Sequence, residues 1–82
     1  MSRFYFHSED GSLFEDKIGT ELPDLPAAQH EAVRLLAELL RADPQMFLKT
    51  DAFRMIIQDE AMNTLYVIDM AGTAALPSGP VT

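Results

Sequence analysis

The sequence predicts an α+β domain of ββαββ order, in which two β-hairpins flank one amphipathic helix that packs on one face of a four-stranded antiparallel sheet. Three observations predict it. Asp10-Gly11 sits between two runs of strand-like residues, and Asp-Gly is the strongest short hairpin signal. Apolar residues recur at helical spacing from Leu25 to Leu40. The stretch from Phe53 to Met70 is rich in β-branched and aromatic residues and is interrupted once, by the polar run Asp59 to Asn63.

The first strand is read over residues 3–8, where Arg3-Phe4-Tyr5-Phe6-His7 is dense in aromatics. Its return strand spans 12–18 and ends or bulges at Gly19. Asp24 is the expected helix N-cap, because its carboxylate can accept the unpaired backbone N–H groups of the first turn. Pro26 falls in that turn, where a missing N–H costs nothing. The helix runs over 25–42. It turns Ala28, Ala32, Leu35, Leu36, Leu39 and Leu40 to the core and Gln29, Glu31, Arg34, Glu38 and Arg41 to solvent. Glu31 with Arg34, and Glu38 with Arg41, are expected i,i+3 pairs. Asp43-Pro44 stops the helix, since a residue before proline avoids the α region. The same pair opens a second short turn carrying Met46 and Phe47. Strands over 53–59 and 64–70 close the domain, which is read as residues 1–71. The Gly, Pro, Ala, Ser and Thr of 72–82 are read as a flexible tail. A crossover through the helix makes the second and third strands parallel in direction. Placing the first strand between them gives the order 2-1-3-4 with every neighbouring pair antiparallel.

Composition narrows the function classes. Thirteen acidic and six basic residues give a net charge of -7. That field repels phosphate backbones, which clustered Lys and Arg bind, so no nucleic-acid partner is expected and a basic protein is the natural complement. With no cysteine and two histidines, His7 and His30, neither a disulfide nor a structural zinc site is expected. No stretch approaches the roughly 20 apolar residues of a membrane span. Met1-Ser2-Arg3-Phe4 opens no long apolar run that would read as a signal peptide. The expected location is cytoplasmic, away from membranes.

Catalytic motifs are not found, and the chain is expected not to be an enzyme and to need no cofactor. His30-Glu31-Ala32-Val33-Arg34 starts like the zinc-protease helix motif but has Arg34 where the second histidine belongs. Ser2, Ser8, Ser12 and Ser78 lack a Gly-x-Ser-x-Gly setting. Gly11, Gly19, Gly72 and Gly79 never take a phosphate-cradling spacing. His7, Glu9, Asp10, Glu15 and Asp16 surround the first hairpin and read as a solvated acidic turn rather than a cation site. Met46, Phe47, Met55, Met62 and Met70 read first as core filling.

Arg3-Phe4-Tyr5-Phe6-His7, then Asp10-Gly11, Asp16, Gly19-Thr20-Glu21-Leu22-Pro23-Asp24-Leu25, Ala28 and Glu31-Ala32 together resemble a family of short bacterial proteins catalogued as a domain of unknown function. The resemblance runs over about residues 3–70. It implies no activity, cofactor or catalytic residue. In the last hairpin turn the family usually carries a glycine, where this chain has Ala61-Met62-Asn63, so a longer or differently shaped turn is expected. Pro23-Asp24-Leu25-Pro26 ahead of the helix is also similar to the N-terminal domain of HicB-type antitoxins, which act by covering a small basic toxin. That likeness implies an acidic binder of a basic partner, although this chain has no room for the DNA-binding domain such antitoxins carry.

The strand patterns predict self-association. If Met55 and Ile57 face the helix, Ile56 points away. If Leu65 and Val67 face it too, then Tyr66, Ile68 and Met70 point outward. Tyr5 and His7 join them if Phe4 and Phe6 point inward. The expected interface of a homodimer is therefore Tyr5, His7, Ile56, Tyr66, Ile68 and Met70 on the sheet face away from the helix. The alternative covers for that face are the C-terminal tail and the segment Met46 to Leu48.

Overall fold

A computed structural model describes residues 1–75. The elements are β1 (Ser2–Glu9), β2 (Leu13–Phe14), β3 (Thr20–Leu22), α1 (Leu25–Ala42), α2 (Pro44–Leu48), β4 (Ala52–Gln58) and β5 (Thr64–Ala71). The α+β antiparallel architecture is the expected one, with five strands instead of four. The path across the sheet is β2-β1-β4-β5, with β3 also paired to β1. The predicted return strand over 12–18 is corrected: it is two short pieces along the edge of β1 that β4 leaves free. Leu13 and Phe14 pair with Glu9 and Ser8, and Thr20 to Leu22 pair with Phe4 to Ser2. Between them the Asp16 carboxylate takes the place of strand backbone, accepting from the N–H of Phe6 at 3.1 Å. The tail assigned to 72–82 is irregular over 72–75, and 76–82 lie outside the described residues.

Helix α1 begins where the sequence places it, and the Asp24 carboxylate accepts from the Ala27 N–H at 3.0 Å. At its far end the Asp43 N–H donates to the Leu39 carbonyl at 3.1 Å. The Arg34 guanidinium grips Glu31 through Nε and Nη2 at 3.0 and 2.6 Å. Its Nη1 takes Glu38 at 2.7 Å, so the expected Glu38–Arg41 pair is replaced by an i,i+4 pair in the same fork.

The core lies between α1 and the middle of the sheet. Phe4, Phe6, Phe53, Met55 and Ile57 come from the strands and Ala28, Ala32 and Leu36 from the helix. Ala28 and Ala32 are fully buried. Two small residues one turn apart let the helix axis approach the strands, and the three phenylalanines fill the space around that contact. Met46 and Phe47 pack against the same core. The Met46 to Leu48 segment thus lies on the helix side, not over the opposite face.

Two tight backbone sites shape the hairpins. Gly19 has φ 76°, and a Cβ there would stand 2.8 Å from Arg3 Cγ and 2.9 Å from Tyr5 Cε2, so both conformation and space require glycine. In the last hairpin the left-handed position is Met62, with φ 66°. The loop is held by Asp59, whose Oδ1 accepts from the N–H groups of Ala61 and Asn63, each at 2.9 Å. Those donors, Asn63 first, hold the Asp59 carboxyl below its ordinary value. A left-handed non-glycine residue costs about 1–2 kcal/mol, and glycine returns about half of that to the unfolded chain as entropy. Met62→Gly is expected to stabilise the fold by about 0.5–1 kcal/mol, a melting rise of roughly 3–6 °C for a domain of this size. Calorimetry of the two proteins checks it, and a lower midpoint for the variant would contradict the strain at Met62.

Candidate interaction surface

Register decides which side chains lie on each face of the sheet, because directly opposed residues of an antiparallel pair point the same way. Phe53, Met55 and Ile57 are buried beneath the helix, and they stand opposite Met70, Ile68 and Tyr66. Those three residues of β5 therefore lie on the helix side, and Ile68 and Met70 pack against the core. The expectation that Tyr66, Ile68 and Met70 face outward is corrected. The run Leu65-Tyr66-Val67-Ile68 is apolar throughout, so alternation alone leaves its facing open, and a one-residue choice flips every side chain. Asp69 is the signal that resolves it. The charged residue belongs on the solvent side, and there it meets Arg54 at 2.6 Å.

Tyr5, His7 and Ile56 do lie on the outer face, with His7 opposite Ile56 and Ile56 opposite Val67. This face is more polar than the sequence suggests. Arg3 and Glu21 pair at 3.4 Å, and Arg54 and Asp69 pair across the strands. The apolar part is a stripe of Tyr5, Ile56 and Val67. At the end of β5 the ladder slips between Ile57 and Gln58, which stand opposite Tyr66 and Thr64. Leu65 is left as a bulge residue without a partner on β4.

A chain of hydrogen bonds crosses this face, and no local motif announces it. The Asp16 N–H donates to His7 Nδ1 at 3.1 Å. With Nδ1 accepting, Nε2 carries the ring hydrogen and donates to Gln58 Oε1 at 3.0 Å. Gln58 Nε2 donates to Thr64 Oγ1 at 3.2 Å. The network ties β1, β4 and β5 to the break between β2 and β3. Asp16 anchors it, and its Oδ1 also accepts from the N–H groups of Ile18 and Gly19, both at 3.0 Å. Burial opposes the charged carboxylate, but the N–H donors of Gly19, Phe6 and Ile18 outweigh it and hold the group below its ordinary value.

On the helix side, an open groove of about 840 Å³ lies between the first hairpin and α1. Leu13, Phe14, Leu35, Leu39 and Met46 line it, with Asp10, Glu31 and Glu38 also on its wall. Phe14 is 72% exposed there. The acidic residues of the first hairpin do not converge: among the described residues, no three of His, Asp and Glu are grouped so as to hold a cation. Among the same residues, no helix is long and apolar enough to cross a membrane.

Fold and surface together describe a small two-layer domain, one helix on one face of an antiparallel sheet, with its other face and one edge open. A family model described as a domain of unknown function, DUF6894, matches residues 3–71, and the chain belongs to that family. Searches of curated proteins and of solved structures return no match. The likeness to HicB-type antitoxin domains finds no support in these comparisons.

Asp16→Asn leaves one oxygen for donors that now share two, and turns an NH2 group toward at least one backbone N–H. The expected loss is about 1–2 kcal/mol, discounted for a part-exposed site where water can substitute. The folded carboxyl titrates below its unfolded value, so its stabilisation is complete above about pH 4 and is lost as pH falls further. Urea unfolding from pH 7 to pH 2.5 is expected to show the gap between the two proteins narrowing below pH 4. A gap that stays constant with pH would contradict the role given to the charged form.

Proposed function

We propose that the protein is a non-enzymatic, self-associating interaction module. The observation that carries this reading is the apolar surface left on β5. Leu65, Tyr66 and Val67 stand next to one another at 37%, 41% and 40% exposed. They occupy both sides of a strand that α1 does not shield, and adjoining uncovered apolar residues mark interaction sites. Several of the polar side chains are tied into the fold. His7 is held between the Asp16 backbone and Gln58, and the carboxylates of Glu31, Glu38 and Asp69 are held by arginines. The module is read as cytoplasmic and without a nucleic-acid or membrane partner, a reading supported by the net charge of -7, which repels phosphate backbones. A second reading, an antitoxin-like acidic binder of a small basic protein, is favoured by the groove beside α1, where apolar side chains sit among Asp10, Glu31 and Glu38.

Light scattering separates the two. At tens of micromolar the purified protein is expected to show the mass of a dimer, and a monomer mass at that concentration would overturn self-association. Salt gives a second test. Two copies each carrying -7 repel, so the dimer should tighten as ionic strength rises from about 0.01 M to 0.15 M and the screening length falls from about 30 to 8 Å. A complex with a basic partner would loosen over the same range.

A further inference from the structure

We infer that the dimer is built edge to edge, β5 of one copy pairing antiparallel with β5 of a second copy. The inference rests on the self-association proposed above and specifies its contact. The two edges of the sheet are finished differently. Along the β1 edge the strands are two and three residues long, and the Asp16 carboxylate plugs the gap between them by taking the Phe6 N–H. That edge offers little continuous backbone. The opposite edge is β5, eight residues long, and among the described residues no strand pairs with its outer side. Open edges are normally guarded by inward charges, prolines or mid-strand bulges. From Thr64 to Ala71 there is no proline and a single charge, Asp69. Arg54 draws that charge back onto the sheet at 2.6 Å, and the one register slip lies at the far end, between the pairs Ile57–Tyr66 and Gln58–Thr64.

A second copy fits this edge by symmetry. Two identical antiparallel strands side by side are related by a two-fold axis normal to the sheet, which puts helix-side residues opposite helix-side residues. Centred on Val67 or Ile68, the pairing places Tyr66 opposite Ile68 or Met70 of the copy. Both helix layers fall on the same face, and the two Asp69 carboxylates are kept out of direct opposition. A strand that suits β5 must be uncharged at its centre and apolar on both sides, and β5 has that character itself.

Amide hydrogen exchange on the wild-type dimer tests the contact. In a lone edge strand, alternate N–H groups point away from the sheet and exchange fast. In a paired strand none do. With the protein raised to about 100 times its dissociation constant, the outward amides between Tyr66 and Asp69 are expected to slow about 10-fold relative to dilute protein, so that consecutive residues are protected. A dimer mass with only alternate residues protected would overturn edge pairing and leave self-association standing. A monomer mass would overturn both.

Discussion

The width of one helix governs most of what this fold exposes. An α-helix with its side chains is about 10 Å across, and strands in a sheet are about 4.8 Å apart, so one helix shields about two strands. Helix α1 contacts β3 and β4, and the fully buried Ala28 and Ala32 bring it close to the sheet there. The inward residues of β1 and β4 are buried in consequence. β5 lies beyond the helix, and its helix-side Tyr66 remains 41% exposed although it stands opposite the fully buried Ile57. Short helix α2 lends Met46 and Phe47 to the core, which extends the cover at the Phe53 end of β4 and leaves the Tyr66 end of β5 open.

The second constraint is backbone satisfaction along β1. A central strand needs partners on both sides, and β2 and β3 together supply five residues against eight in β1. A carboxylate replaces the missing ladder at Phe6, and the same residue's N–H fixes the His7 ring. One acidic residue therefore stabilises the strand break, orients an imidazole on the outer face and, through Gln58 and Thr64, reaches β5. Gly19 completes the device, since no side chain fits between it and Arg3 or Tyr5. The polar character of the outer face follows from these ties.

Much of the fold was legible in the sequence because its signals are local. Asp24 capping the helix, Asp43-Pro44 ending it and the inward Phe4 and Phe6 all rest on spacing within a few residues, and the order of the strands follows from the helical crossover. Two features were not legible, each because a long-range contact decides it. The sequence reads as one return strand because its interruption depends on Asp16 finding the Phe6 N–H ten positions away in sequence. The pattern of β5 admits a facing one residue out because the strand is apolar on both sides. Its register is set by the pairing of Met55 with Ile68 and of Arg54 with Asp69, and that cross-strand charge pair was the one sequence feature able to correct it. Tyr5, His7 and Ile56 kept their expected face because β1 and β4 alternate cleanly.

The corrected facing changes what the surface means. With Tyr66, Ile68 and Met70 turned to the helix side, the open face keeps only the stripe of Tyr5, Ile56 and Val67 among ion pairs and the His7 network, too thin a patch to dominate recognition. On β5 the uncovered Leu65, Tyr66 and Val67 show on both sides of the strand, as at an exposed edge, while Leu13, Phe14 and Ile18 form a separate exposed apolar set along the first hairpin. The charge distribution suits such a contact. A net charge of -7 keeps copies apart at long range, while Asp69, the one charge on the strand, is balanced by Arg54. In the proposed dimer, repulsion and contact would act at different distances: repulsion over a screening length of about 8 Å in physiological salt, and backbone pairing at about 3 Å between donor and acceptor. A strand that was both open and charged would repel its copy at contact. In the proposed pairing a strand without net charge at its centre would meet its copy only at the edge, and a chain with a marginal core of its own would gain burial there.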